Sequence, residues 1–230
     1  MADIDGSPRL GTVFVIDDDD QVRTSLGRLL RSAGWDVEVF GSAQRFMQRL
    51  PFEGVGCVLL DVQMPDMSGP ELQKQMLATG VSLPIVYLTG HADVPMSITA
   101  MKNGAMDILL KPAEDEIVLS AIGAAIAKHE FVSAQEMKRA EIEGRLARLS
   151  AREREVLEFV IAGRLNKQIA GDLGITEKTV KAHRARVMEK LETRSVAAVV
   201  RMCELVGISP RQNEPVLKLY VRPLEADEIR

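Results

Sequence analysis

Four short apolar runs each stop at a polar residue of a particular kind. VFVI at 13–16 leads straight into Asp17, Asp18, Asp19 and Asp20. VLL at 58–60 stops at Asp61, IVYL at 85–88 stops at Thr89, and ILL at 108–110 stops at Lys111, with Pro112 next. A run of acids alone reads as a solvated loop. If the four runs are parallel strands of one sheet, however, their ends share one edge, and that edge is where α/β sheets bind ligands. At least two carboxylates, a hydroxyl and an ammonium then converge. Clustered carboxylates repel one another unless a cation sits among them. Hard oxygen ligands in that number suit Mg²⁺, which takes one or two carboxylates plus substrate phosphate. A carboxylate held beside such an ion can attack phosphorus and become an aspartyl phosphate. The lysine would offset charge developing on the phosphoryl oxygens, and the hydroxyl could donate to the phosphate afterwards.

A second set of residues suggests a different chemistry. In IAGRLNKQIAGDLGITEKTVKAHRARVMEKL, a helix over Asn166–Leu173 buries Ile169, Ala170 and Leu173, and Gly174 ends it. Thr176 is the next N-cap, and a longer helix runs from Glu177 to Leu191. Two amphipathic helices about a tight glycine turn are a helix-turn-helix. Val180, Val187 and Leu191 form the inward stripe of the second helix. Lys178, Ala182, Ala185 and Glu189 lie opposite it, with Lys181 and Arg186 at the sides. A helix in the major groove needs small residues where backbones approach and long basic ones beside them. Lys178, Lys181, Ala182 and Arg186 are therefore assigned to base edges, and Asn166, Lys167, Thr179, His183 and Arg184 to phosphates. Such a face suits duplex DNA better than RNA.

The elements that must position these residues are legible too. Strand-like runs at Thr12–Ile16, Asp36–Phe40, Val55–Leu60, Pro84–Leu88 and Ala105–Leu110 alternate with helical spacing such as Val22, Leu26, Leu29 and Leu30. Runs rich in Val, Ile and Leu are those of strands covered on both faces, and five βα repeats imply a parallel sheet between helical layers. From about 115 to 149 the pattern is helical, with Ile117, Ile122, Ile126, Met137, Ile142, Leu146 and Leu149 as an interrupted apolar stripe. Residues 150–208 read as four helices, the first capped by Ser150 with Glu153 three residues on. The tail from 209 to 230 carries Pro210, Pro215 and Pro223; its LKLYV segment at 217–221 could form a short edge strand.

Composition agrees with two separate tasks. The net charge of -4 divides into -8 over residues 1–130, -1 over 131–144, +5 over 145–208 and 0 over the tail, so the basic segment suits a polyanionic partner. No apolar run approaches the ~18 residues of a membrane span, and the acidic, polar start is not a signal peptide. Cys57 and Cys203 stand far apart, as reduced thiols in a cytoplasmic protein. Met64, Met67, Met96 and Met101 read as packing residues, Cys57 as a small hydrophobe, and His91 as a loop residue near the strand ends.

The strings VIDDD at 15–19, LLDVQMPDMSG at 59–69, LTGHADVPMSITAMKNGA at 88–105 and LLKP at 109–112 resemble the receiver domain of two-component response regulators of the FixJ type. LSAREREVLEFVIAG at 149–163, the helix-turn-helix string at 166–191 and SVAAVVRMCELVGI at 195–208 resemble the LuxR-type DNA-binding domain. The resemblance implies a flavodoxin-like (βα)₅ receiver over 10–128, a helical linker over 129–147 and a four-helix domain over 148–208, with the tail unassigned. It implies Asp61 as phosphoacceptor, Asp17 and Asp18 as metal ligands with the backbone carbonyl of Gln63, and Thr89 and Lys111 as switch hydroxyl and phosphate-binding lysine. It further implies a sensor histidine kinase as donor, a homodimer on phosphorylation as the face of the fourth helix, fifth strand and fifth helix changes, dimerisation on DNA through the last helix (about 195–206), promoter DNA and RNA polymerase as partners, and no turnover of an external substrate. An aspartyl-nucleophile phosphatase would carry a second acid two residues after the nucleophile; Gln63 stands there. One position departs from the family, which has Tyr or Phe three residues before the lysine. Ile108 is stiff at χ1 and has no ring to swing, so transmission falls to Thr89 and the segment 91–104.

Overall fold

The computed structural model describes residues 10–90 and 94–211, with backbone alone for 94–97. His91 and the segment 217–221 lie outside the described residues. Two compact units divide near Glu136 and Met137.

The first unit alternates strand and helix: β1 Thr12–Ile16, α1 Asp20–Ser32, β2 Asp36–Phe40, α2 Ala43–Arg49, β3 Gly56–Asp61, α3 Gly69–Ala78, β4 Ile85–Thr89, α4 Val94–Lys102, β5 Asp107–Leu110 and α5 Asp115–Ala147. All strand pairs are parallel, in the order β2-β1-β3-β4-β5. This is the predicted (βα)₅ sheet. The central strands β1, β3 and β4 are buried on both faces because their side chains alternate between two cores. Phe14, Ile16, Val58, Leu60 and Tyr87 face one core, shared with Phe46, Leu72 and Met76 from α2 and α3. Val13, Val15, Cys57, Leu59, Val86 and Leu88 face the other, shared with Leu30 from α1 and Val118, Ile122 and Ile126 from α5.

The last strand starts at Asp107 rather than Ala105, because Gly104 still turns the chain at φ 90°. The inward stripe of α5 is Val118, Ala121, Ile122, Ala125 and Ile126, at helical spacing. Ile117, one residue out of phase, is 49% exposed, and Met137 is 69% exposed, so neither belongs to the expected stripe. α5 is long and apolar enough by length and composition alone to cross a membrane, a test that the core helix of a folded domain passes as well. Its apolar residues from Val118 to Ile126 are spent on the sheet.

The second unit holds α6 Ala151–Ile161, α7 Asn166–Leu173, α8 Glu177–Lys190 and α9 Val196–Leu205. The last turns of α5 belong to it. Ile142 and Leu146 are buried with Leu157, Val187, Leu191, Val199 and Cys203. Packing therefore begins before the boundary expected at 147/148, because an apolar residue every fourth position gives the end of α5 its own inward face. A second core joins Val156, Phe159, Val160, Ile169, Ala170 and Val180. The expected capping box is present: Ser150 accepts from the Glu153 N–H, and Glu153 accepts from the Ser150 N–H.

Candidate functional site

The strand ends converge as the sequence predicts. Asp17 follows β1, Asp61 and Thr89 are the last residues of β3 and β4, and Lys111 follows β5. Backbone bonds hold the edge together: the Lys111 N–H donates to the Thr89 carbonyl at 2.8 Å, and the Val62 N–H to the Leu88 carbonyl at 3.0 Å. Asp17, Asp61 and Thr89 are all buried. Lys111 Nζ donates to Asp17 Oδ2 at 2.6 Å and to Asp61 Oδ1 at 2.8 Å. The other oxygens are also held, since Asp17 Oδ1 accepts from the Asp19 N–H at 2.9 Å and Asp61 Oδ2 from the Gln63 N–H at 3.2 Å.

The four-acid run divides its labour. Asp17 is buried and paired, and exposed Asp18 offers a carboxylate oxygen to the same cluster. Asp19 is the N-cap of α1, accepting from the N–H groups of Gln21 and Val22. Asp20 opens the helix, where a negative charge favours the macrodipole. The sequence reading missed the cap, although an acid just before a helical stripe signals one.

Asp17, Asp18 and Asp61 bring carboxylate oxygens within 4.8 Å of one another. Three carboxylates against one ammonium leave a charge of about -2, and two of the three acids are withdrawn from water. Burial raises the Asp61 carboxyl above the usual carboxylate range; the Lys111 ammonium pulls it down, while Asp17 and Asp18 add to the rise. Burial also works against the charge on Lys111, but its hydrogen bonds to Asp17 and Asp61 outweigh that and hold its pKa up. The donor set is all hard oxygen with a doubly negative excess, which fits a divalent cation of the Mg²⁺ class.

Gly69, the first residue of α3, fits closely under the site. A Cβ there would meet the Asp61 backbone oxygen at 2.6 Å and Tyr87 Cε1 at 2.9 Å. Ile108 is half-buried and packs against the core that contains Tyr87. Cys57 is a free, fully buried thiol whose pKa burial pushes up to about 12, in keeping with the apolar role expected of it.

In the second unit, Gly174 ends α7 in the left-handed region at φ 64°, and Thr176 caps α8 by accepting from the Thr179 N–H at 3.1 Å. Val180, Val187 and Leu191 are buried, while Lys178, Lys181, Ala182, Ala185 and Arg186 are exposed along α8. Exposed Lys167 stands near the start of α7. Some residues assigned to phosphates have partners within the protein. Arg184 Nη1 donates to Asn166 Oδ1 at 2.8 Å, and the Thr179 hydroxyl lies 2.8 Å from that of Thr176. His183 is half-buried, and its Nδ1 is enclosed without a hydrogen-bond partner. Arg152 was not predicted to matter, yet its Nη2 donates to the Leu173 carbonyl at 2.7 Å and satisfies the end of α7.

A parallel α/β unit with an acid–lysine edge, and a separate unit carrying a basic helix-turn-helix, define the class of a DNA-binding response regulator. Residues 13–123 match the response regulator receiver domain, and residues 147–203 match bacterial regulatory proteins of the luxR family. The chain is 44% identical over 199 residues to transcriptional regulatory protein FixJ of Azorhizobium caulinodans, covering 86% of this chain and 94% of that one. It is 40% identical over 202 residues to nodulation protein W of Bradyrhizobium diazoefficiens, covering 88% and 89%. The solved structure of the response regulator StyR is similar at a TM-score of 0.80 and 45% identity, covering 84% of this chain and 98% of that one. The chain belongs to the FixJ-type response regulators and is a transcriptional regulator of the two-component kind.

Proposed function

We propose that Asp61 is the phosphoacceptor of this regulator and that its phosphorylation by a sensor histidine kinase promotes a homodimer competent to bind promoter DNA. The observation that carries this is the bridge of Lys111 Nζ between Asp17 at 2.6 Å and Asp61 at 2.8 Å, beside a third carboxylate. Asp17, Asp18, Asp61 and the backbone carbonyl of Gln63 would hold Mg²⁺ or another divalent cation, which supplies charge neutralisation for the transferring phosphoryl group.

A carboxylate oxygen of Asp61 forms the new P–O bond as the P–N bond of the donor phosphohistidine breaks. The bonding pair leaves with the imidazole nitrogen, which takes up a proton. Lys111 stabilises the phosphoryl oxygens at the moment charge develops. The new group adds about -1.5 to -2 charge, and Thr89 donates its hydroxyl toward it. No external substrate is turned over.

On DNA, Lys178, Lys181, Ala182 and Arg186 of α8 meet base edges in the major groove, while Asn166, Lys167, Thr179, His183 and Arg184 address phosphates. The Arg184–Asn166 bond supports this reading by holding the guanidinium in place. The bound dimer acts on RNA polymerase in the cytoplasm. In this reading the receiver spans 10–128, a linker 129–147 whose last turns pack onto the DNA-binding core, the DNA-binding domain 148–208, and the tail has no assigned role.

Incubation with a labelled small phosphodonor in Mg²⁺ tests the acceptor. One acid-stable, base-labile phosphate per chain is expected in the wild type and none in Asp61→Asn. Undiminished labelling of the variant removes Asp61 from the role.

A further inference from the structure

A largely buried hydrogen-bond chain leads from Tyr87, which lies two residues before the end of β4 at the phosphoacceptor edge, to the carboxyl end of α4. Tyr87 lies on β4 two residues before Thr89, so both side chains project from the same face of the strand. Its ring is fully buried. At the head of α3, the space that a Gly69 Cβ would take is bounded by the Tyr87 ring edge on one side and the Asp61 carbonyl oxygen on the other. The Tyr87 hydroxyl donates to Gln73 Oε1 at 3.0 Å, and Gln73 Nε2 donates to the Asn103 carbonyl at 3.2 Å. Gln73 is itself 2% exposed. Asn103 directly follows α4, and its N–H donates to the Thr99 carbonyl, so the acceptor is one of the carbonyls a helix end leaves over.

Register sharpens the point. Tyr87 stands opposite Ile108 on β5 and Leu60 on β3. Where Ile108 offers no ring, the adjacent strand supplies one in the same layer, with a hydroxyl tied to a fixed partner. Resting on the reading of Asp61 as phosphoacceptor, we propose that Tyr87 and Gln73 are positioning residues that couple the phosphorylated strand edge to the carboxyl end of α4. A shift of the Asp61 backbone or of Thr89 on phosphorylation displaces the ring, and the side-chain amide of Gln73 carries that displacement to Asn103. A buried polar chain of this kind has few alternative partners, so its ends move together.

The test uses the full chain, with hydrogen exchange of residues 99–105 read before and after incubation with acetyl phosphate and Mg²⁺, and with the stoichiometry of Asp61 phosphorylation measured in parallel. In the wild type, phosphorylation is expected to change exchange over this segment. In Tyr87→Phe the labelling of Asp61 stays as in the wild type. Basal exchange of the Asn103, Gly104 and Ala105 amides rises about 2- to 10-fold, the opening factor for one lost buried hydrogen bond. The phosphorylation-dependent change at these amides is lost. Tyr87→Phe leaves the Gln73 carbonyl buried without its donor, so a second variant, Tyr87→Phe with Gln73→Leu, replaces both groups by apolar ones. It is expected to regain stability but not the phosphorylation-dependent change, a split that a purely structural role would not give. Normal labelling with a wild-type response in both variants overturns the coupling. Absence of labelling in the wild type overturns the Asp61 reading, and the coupling with it.

Discussion

Arg184 on α8 donates from Nη1 to Asn166 Oδ1 at 2.8 Å, so the long basic side chain of one helix is braced by the first residue of the helix before it. Bracing reduces the rotamer freedom lost on contact with a phosphate. Arg184→Ala is expected to lower the slope of log affinity against log salt by about 0.9, the release of one counterion. Asn166→Ala keeps the charge, so it should leave that slope unchanged while weakening affinity at every salt concentration. Fluorescence anisotropy on a duplex carrying the regulator's site, across a salt series, separates the two. An equal slope change in both variants would contradict the bracing.

Base-edge residues should behave differently from phosphate residues. Lys181→Ala and Arg186→Ala are expected to cost about 1–3 kcal/mol against the best site and less against random duplex, so discrimination narrows. Lys167→Ala should weaken both alike. Binding competition between specific and scrambled duplexes is the measurement.

Among the described contacts, Lys111 is the only cation hydrogen-bonded to the side-chain carboxylates of Asp17 and Asp61, while Arg23 donates to the Asp17 backbone carbonyl. Lys111→Met leaves Asp17 and Asp61 buried without a counter-charge, and breaking such a pairing costs about 3–5 kcal/mol. A divalent cation would return part of that loss. Thermal unfolding should therefore show a larger Mg²⁺-induced rise in Tm for the variant than for the wild type, together with slower phosphorylation of Asp61. An equal rise in both proteins would speak against cation binding among Asp17, Asp18 and Asp61.

Gly69→Ala should be poorly tolerated although Gly69 sits at the start of a helix, where alanine is normally welcome. Its Cβ would lie 2.6 Å from the Asp61 carbonyl oxygen, a backbone atom that cannot yield alone. Overpacking of this kind costs roughly 1–3 kcal/mol. Urea unfolding should show that loss, and labelling of Asp61 should slow with it.

The second unit has an acid-sensitive joint. Glu153 accepts from Lys190 Nζ at 2.6 Å and from the Ser150 N–H at 2.9 Å, and these bonds hold its carboxyl down to about 2. A lowered carboxylate contributes stability that is complete above its unfolded pKa of about 4.3 and is lost as pH falls toward the folded value. Glu153→Gln should therefore lower stability at neutral pH, with the gap to wild type closing between about pH 4.3 and 2. A gap that persists at pH 2 would assign the effect to packing rather than charge.

Local order was legible wherever one residue's chemistry settled it. The apolar runs gave the strands because β-branched and aliphatic residues at that spacing have only a doubly covered sheet to go to. Gly174 and Thr176 marked the turn because one tolerates the left-handed region and the other satisfies helix N–H groups. Asp61, Thr89 and Lys111 could be placed at one edge without coordinates, because parallel strands put all their carboxyl ends on the same side.

Tertiary packing decided what spacing alone leaves open. Ile117 and Met137 look like members of an apolar stripe, yet both are exposed: the sheet takes the face of α5 that carries Val118, Ile122 and Ile126, and Met137 lies outside both cores that α5 joins. The third acid of the run could have been a ligand or a loop charge, and only the start of α1 turned Asp19 into a cap. Tyr87, Gln73 and Asn103 are scattered along the chain and show no periodicity that ties them together. Their bond chain exists because three elements meet in space, and pairing of that kind depends on distances that sequence order does not contain.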